Sequence, residues 1–204
     1  MPIEVDAAAR LDQIAEATLR VADRERPAGV TIRAVAAELG GSTTVVTNYI
    51  KSRADLLLNA VRYELAAWRR EHAEAIAEVQ DDPRSRLREE IRWSTTTLHN
   101  DRAARQIWLD LVSRASSDGA SELLRDDAAE HYENIRTDVA DLAPADSDSD
   151  AIADGIYLAI RGFYFATTED PEQWPPQRAA HAILKIADLL VGLDEGSTTR
   201  KPKR

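Results

Sequence analysis

Between Ser42 and Tyr49 the chain reads STTVVTNY, a run of hydroxyls and one carboxamide interrupted only by two valines. Written on a helix, Thr43, Thr44, Thr47 and Asn48 fall on polar positions while Val45, Val46 and Ile50 can turn inward. Uncharged, short, hydrogen-bonding side chains of this kind suit the reading of base edges. A carboxamide can pair bidentately with adenine, and threonine can meet a base edge, a phosphate or a thymine methyl. The Tyr49 hydroxyl can reach a phosphate.

Other chemistries find weaker footing. The four histidines, His72, His99, His131 and His181, fall on separate predicted helices with no partner at i+4, and no HExxH pattern occurs, so no metal site is expected. The absence of cysteine removes disulfides, thiolate ligands and thiol nucleophiles. A Ser–His–Asp set could be assembled from many residues of this composition and therefore means little. Asp81-Asp82, Glu89-Glu90 and Asp126-Asp127 read as solvated faces and helix starts, and no glycine-rich phosphate loop is present. Arg84, Arg86, Arg88 and Arg92 stand among Glu89 and Glu90, where ion pairs along one helix are the ordinary reading. Neither a catalytic residue nor a cofactor is expected.

The elements that must position the Ser42–Tyr49 run are helices. Leu11, Ile14, Ala15, Thr18, Leu19 and Ala22 recur at three and four residues, predicting a first helix from about Asp6 to Arg24, ended by Pro27 and Gly29. Thr31 can cap a short second helix that stops at Gly40-Gly41, and Ser42 a short third one reaching about Ile50. Ser52 with Asp55 forms a capping box for a long helix through Leu56, Leu57, Ala60, Val61, Leu65 and Trp68. Asp82-Pro83 starts a helix to about Leu98. Further helices are expected at about 102–115, 121–142, 150–167 and 176–193, the last two separated by a proline-rich stretch. Eight glycines, eight prolines and 5% aromatics argue against a sandwich or barrel. The fold class is all-α, with about nine helices.

Charge divides along the chain. The formal net charge is −10, hostile at first sight to a polyanion. Residues 1–59 nevertheless hold 7 basic and 8 acidic groups, a net of −1, residues 60–199 carry −13, and the last five carry +4. Between Thr31 and Arg53 the balance is Arg33, Lys51 and Arg53 against Glu38, so this part is free to meet an anion. No apolar run approaches a membrane span and the N-terminus lacks a basic, apolar leader, so a cytoplasmic protein without membrane contact is expected.

The run TIRAVAAELGGSTTVVTNYIKSRADLL, from Thr31 to Leu57, resembles the DNA-binding domain of the TetR family of bacterial transcriptional repressors. The resemblance rests on Thr31, Ala36, Gly40, Ser42, Tyr49 and Arg53 before Asp55-Leu56-Leu57, with the helix around 10–22 as the family's first. Gly41, Thr47 and Ile50 depart from the family pattern, which has an apolar residue, an aromatic and a phenylalanine there. The resemblance implies a helix-turn-helix with phosphate contacts from Thr31, Ser42, Tyr49 and Arg53 and base-facing Thr43, Thr44, Thr47 and Asn48. It further implies a homodimer on a palindromic DNA operator, released by a small-molecule effector.

A DNA-binding domain over 1–51 would then precede a regulatory and dimerisation domain over 52–195 and a disordered basic tail over 196–204. The dimer interface is expected on the last two helices, at Ile152, Ile156, Ile160, Phe163, Ile183, Ile186 and Leu190, with Gly155, Ala159 and Gly162 allowing close approach; the alternative is that both helices close the monomer core. Residues 106–109, His131-Tyr132, Gly162-Phe163 and 170–176 look similar to the C-terminal domain of the choline-responsive BetI-type subgroup. Trp68, Trp93, Trp108, Tyr132 and Tyr157 could cage a quaternary ammonium, although their helical positions favour core packing and a largely apolar pocket. The competing function is a helical ligand-binding protein or enzyme that does not bind DNA.

Overall fold

The computed structural model describes residues 7–79, 81–95, 101–113 and 118–191. His99, the basic tail and the expected helix ends near Leu98 and Ala115 lie outside them. Among the described residues the chain is all-α, with α1 (Ala7–Gly29), α2 (Ile32–Glu38), α3 (Thr44–Thr47), α4 (Arg53–Ala77), α5 (Pro83–Thr95), α6 (Asp101–Ser113), α7 (Asp118–Leu142), α8 (Ser149–Glu169) and α9 (Pro176–Leu190). None of these helices is long and apolar enough to cross a membrane.

The helix starts follow the cap residues. Ser52 Oγ accepts from the Asp55 N–H at 3.1 Å and donates to the Asp55 carboxylate at 2.7 Å, so the Ser52 hydroxyl caps the start of α4 and the acid holds that hydroxyl rather than the Ser52 backbone N–H of a full capping box. Asp82 accepts the Ser85 and Arg84 N–H groups in front of Pro83, and Asp148 accepts that of Ala151 at the start of α8. Each satisfies amides that the helix itself leaves without acceptors. Inside α1 the backbone breaks at Arg26 (φ 63°, ψ 167°). Pro27 pushes its predecessor out of the helical region, and Arg26 takes up a conformation otherwise used by glycine.

The chain divides into two compact units, residues 1–73 with 97–126 and residues 74–96 with 127–204. In the first, the stripe of α1 buries Ile14, Ala15, Ala17, Thr18, Leu19, Val21 and Ala22. Val35 and Ala36 of α2, Val46, Ile50, Leu56, Leu57, Val61 and, from α6, Ala103, Ala104 and Ile107 join the same core. Asn59 of α4 donates to the Leu11 carbonyl at 2.8 Å, and Tyr63 to Glu16 at 2.9 Å, which fixes α1 along α4. The second unit is built on Leu87, Ile91, Ile135, Val139, Ile152, Ile156, Ile160, Phe163, Ile183 and Val191. Its helices are tied by Arg86 to Asp138 at 2.7 Å and by an ion pair of Arg88 with Asp188. Burial raises the Asp138 carboxyl above its ordinary range, with the Arg86 hydrogen bond opposing.

Candidate nucleic-acid interface

The site starts from the turn between α2 and α3. Thr31 is extended (φ −137°, ψ 157°) and its hydroxyl oxygen accepts from the Ala34 N–H at 3.0 Å, capping α2. At the other end Gly40 takes φ 69°. Its N–H bonds the Ala37 carbonyl and the Gly41 N–H the Ala36 carbonyl, both at 2.9 Å. This crossed pair is a Schellman motif, and it demands the left-handed residue that glycine supplies. Gly41 has its own reason, since a β-carbon there would stand 2.9 Å from Val45 Cγ2. The departure from the family's apolar residue is thus matched by the close approach of Val45.

Glu38, the acid between Thr31 and Arg53, is held by α1. Arg20 Nε donates to its carboxylate at 2.8 Å and Arg24 Nη1 at 3.1 Å. Arg20's hydrogen bond, against desolvation and helped by Arg24, lowers the Glu38 carboxyl below its ordinary range. The clamp fixes α2 on α1 and offsets the negative charge of this stretch.

Past the turn, α3 is shorter than its expected reach to Ile50, though N–H bonds from Tyr49 and Ile50 to the Val46 carbonyl continue the turn. Val46 and Ile50 are buried, Val45 half-buried. Thr43, Thr44 and Asn48 are exposed, and Thr47 and Tyr49 are half-buried, Tyr49 against the core. The structure corrects the cap expected at Ser42. Thr43 occupies the cap position in a helical conformation (φ −56°, ψ −25°) and makes no side-chain cap bond; the Ser42 carbonyl, not its hydroxyl, accepts from Val45. A cap side chain needs an extended residue to aim it back at the helix, so Ser42, Thr43 and Thr44 stand on the surface instead.

Arg53 is engaged by the protein itself. Its Nε donates to the Val30 carbonyl at 3.1 Å and its Nη2 to the Pro27 carbonyl at 2.7 Å, while Nη1 lies 3.6 Å from Asp110 of α6. The side chain thereby locks the α1–α2 connection onto the start of α4. It also lines an open cleft with Thr31, Ile32, Arg33 and Thr43. The exposed Arg33 was counted in the sequence only as charge; its position two residues after a cap threonine is the signal that places it beside Thr31. Lys51, also exposed, donates to the Thr47 carbonyl.

Four of the five aromatics considered for a cage divide between two cores. Trp68 and Trp108 pack on the first unit's core. In the second, Tyr132 and Tyr157 meet edge to face at 5.5 Å, and Tyr132 donates to Asp154 at 2.9 Å, which raises the phenol above its ordinary value. Trp93 is half-buried on α5. The Arg161 guanidinium already lies over the Tyr157 ring, 4.9 Å from its centre, on a face an ammonium ligand would use. Sequence reasoning missed a trio here, made of two buried side chains and the half-buried His131. Ser94 Oγ and Glu90 Oε1 stand 3.1 Å and 3.3 Å from the same His131 nitrogen, Nε2, and Glu90 and Ser94 are each 2% exposed. Their spacing on the Leu87–Ile91 stripe is the readable signal. With acid and hydroxyl on one nitrogen, the trio lacks the relay geometry of a catalytic triad. Among the described residues no group of three or more acids or histidines is placed to hold a metal ion.

Of the seven residues expected at a dimer interface, Ile152, Ile156, Ile160, Phe163 and Ile183 are buried in the chain's own core. This is the monomer-closing alternative for that stripe. Ile186 and Leu190 are exposed, as are Leu158, Phe165 and Leu189. Helix α8 carries two apolar stripes, and Leu158 and Phe165, seven apart, lie on the side opposite Ile156 and Ile160. Gly162 has open space before it, and a β-carbon on Gly155 would touch Leu190 at an ordinary 3.8 Å.

The family model described as the C-terminal domain of BetI-type transcriptional repressors matches residues 83–192. Among curated proteins none matches the sequence. Solved structures share the fold: a transcriptional regulator of Saccharomonospora viridis in complex with choline is 21% identical, with 90% of this chain and 97% of that one covered and a TM-score of 0.75. A transcriptional regulator of Rhodococcus sp. Rha1 is 16% identical over 89% and 96%, at 0.74. A TetR regulator of Haloarcula marismortui is 20% identical over 90% and 98%, at 0.71. With more than half of its length matched by that model and its all-α helix order shared with these regulators, the chain belongs to the TetR family of transcriptional regulators.

Proposed function

We propose that the protein is a repressor that binds a palindromic operator as a homodimer and is released by a small-molecule effector. The observation that carries the DNA reading is the outward stand of Thr44 on α3 and of Thr43 and Asn48 at its two ends, just after the Schellman turn and beside the Thr31–Arg33 edge of the cleft. Asn48 reads a base edge, Thr43, Thr44 and the half-buried Thr47 line the same approach, and Thr31, Ser42, Tyr49 and Arg33 seat phosphates. Arg53 contributes to phosphate seating from the cleft while it holds the α1–α2 connection. The reading domain is taken as 1–51 and the regulatory domain as 52–195.

Dimerisation places two reading units on half-sites about 34–36 Å apart or a multiple of that. The face supported for it is Leu158, Phe165, Ile186, Leu189 and Leu190, apolar side chains that the chain leaves in solvent. The effector is an organic molecule taken up in the regulatory region. Choline, bound by the Saccharomonospora viridis regulator, is the first compound to try.

Fluorescence anisotropy on duplexes tiled across the DNA upstream of the gene tests the reading. Tight binding to a palindrome with a steep salt dependence supports it, and equal binding to every duplex at all salt concentrations sinks it. A thermal-shift screen that includes choline should find a compound that both raises Tm and weakens operator binding.

A further inference from the structure

We propose that Asp110 competes with DNA phosphate for Arg53, so that the placement of α6 sets how much positive charge the reading unit offers. The inference rests on the DNA reading above and names a way of regulating that same site. Two of the Arg53 bonds, to the carbonyls of Pro27 and Val30, are contacts with neutral acceptors that leave the guanidinium charge unmatched. The third edge, Nη1, meets Asp110 Oδ2 at 3.6 Å. That is beyond hydrogen-bond length, so the pair is held by charge rather than by a directional bond. The Arg53 side chain is 31% exposed and that of Asp110 17%, and Arg53 also lines the cleft with Thr31, Arg33 and Thr43. A phosphate seated there on Arg53 meets a guanidinium already shared with a carboxylate, and that carboxylate repels it from well within a Debye length of about 10 Å.

Asp110 travels with α6. Ile107 and Leu111, on either side of it, are buried in the core that α6 forms with α1 and α4. A displacement of α6 therefore moves the carboxylate, and the attraction for Arg53 falls with distance. Asp110 retracted frees the cation for DNA; Asp110 pressed closer withdraws it. The pair acts through phosphate alone, so it scales affinity for all sequences alike.

Anisotropy titrations compare wild type with Asp110→Asn on the operator duplex and on a scrambled duplex, across a salt series. The expected result is binding about fivefold tighter to both duplexes near 0.1 M salt, with a log–log salt slope steeper by up to about one. Asp110→Ser is a second neutral variant in case the first does not fold, and Asp110→Glu, which keeps the charge, should show no gain. On an Arg53→Gln background the gain should disappear. Unchanged affinity and slope in the folded neutral variants, weaker binding, or a gain that survives Arg53→Gln would each overturn the proposal while leaving the DNA reading intact. A wild type that binds neither duplex would remove the DNA reading and the inference with it.

Discussion

Asn48 is the residue on which sequence preference should turn. Its carboxamide is exposed, its backbone N–H is spent on the Thr44 carbonyl at 3.2 Å, and the side chain is the only one in Ser42–Tyr49 with its donor and its acceptor on separate atoms. Asn48→Ala should cost operator binding about 1–3 kcal/mol and relax preference at one base pair, leaving scrambled DNA unaffected. A variant equally weakened on both duplexes would assign Asn48 to phosphate. Glu38 illustrates the charge pattern at the same scale. Its carboxyl is lowered by Arg20 and Arg24, so the stabilisation it brings is fully present above the ordinary carboxylate range and is lost as pH falls through the depressed value. Melting curves should show Glu38→Gln less stable than wild type at neutral pH and the gap closing toward strong acid. A gap independent of pH would mean that packing, not charge, is lost.

The α2–α3 pair depends on a turn that is specific in conformation, with Gly40 at φ 69° and Gly41 against Val45. Gly40→Ala should destabilise the protein by about 1 kcal/mol and weaken operator binding further, because α3 is re-aimed; denaturant melts and anisotropy on the same sample separate the two effects. Unaltered stability would mean that the turn is not held in the left-handed form. Most element limits were legible in the sequence because they are set by local chemistry. Ser52 with Asp55, Asp82 before Pro83 and Gly40 after Leu39 each announce a boundary through bonds made within a few residues. The start of α3 was not, since Ser42 has the right side chain for a cap and the wrong partner: Thr43 is already helical. The protein partners of Arg53 were illegible for a related reason. Its carbonyl partners lie 23 and 26 residues away, and nothing in its neighbours' types reveals them.

At the scale of the whole molecule, the same limit decides which stripe of α8 the chain leaves in solvent. Ile152, Ile156, Ile160 and Phe163 repeat as regularly as Leu158 and Phe165 do, and periodicity alone cannot say which stripe the chain keeps for itself. Packing answers it: Ile156 and Ile160 are 0% exposed, whereas Leu158 is 66% and Leu189 63% exposed. The two kinds of position predict opposite behaviour for one substitution. Leu158→Asp places a charge where solvent can reach it, so the subunit should fold and melt near wild type, sediment as a monomer, and lose operator affinity as the two half-sites are no longer linked. Ile156→Asp buries that charge without a partner and should unfold the chain, at a cost of several kcal/mol, on the order of the largest single-residue effects. Sedimentation velocity and thermal melts on the pair distinguish them. A Leu158→Asp protein that remains dimeric would move the interface off this face, and a folded, monomeric Ile156→Asp protein would return it to the buried stripe.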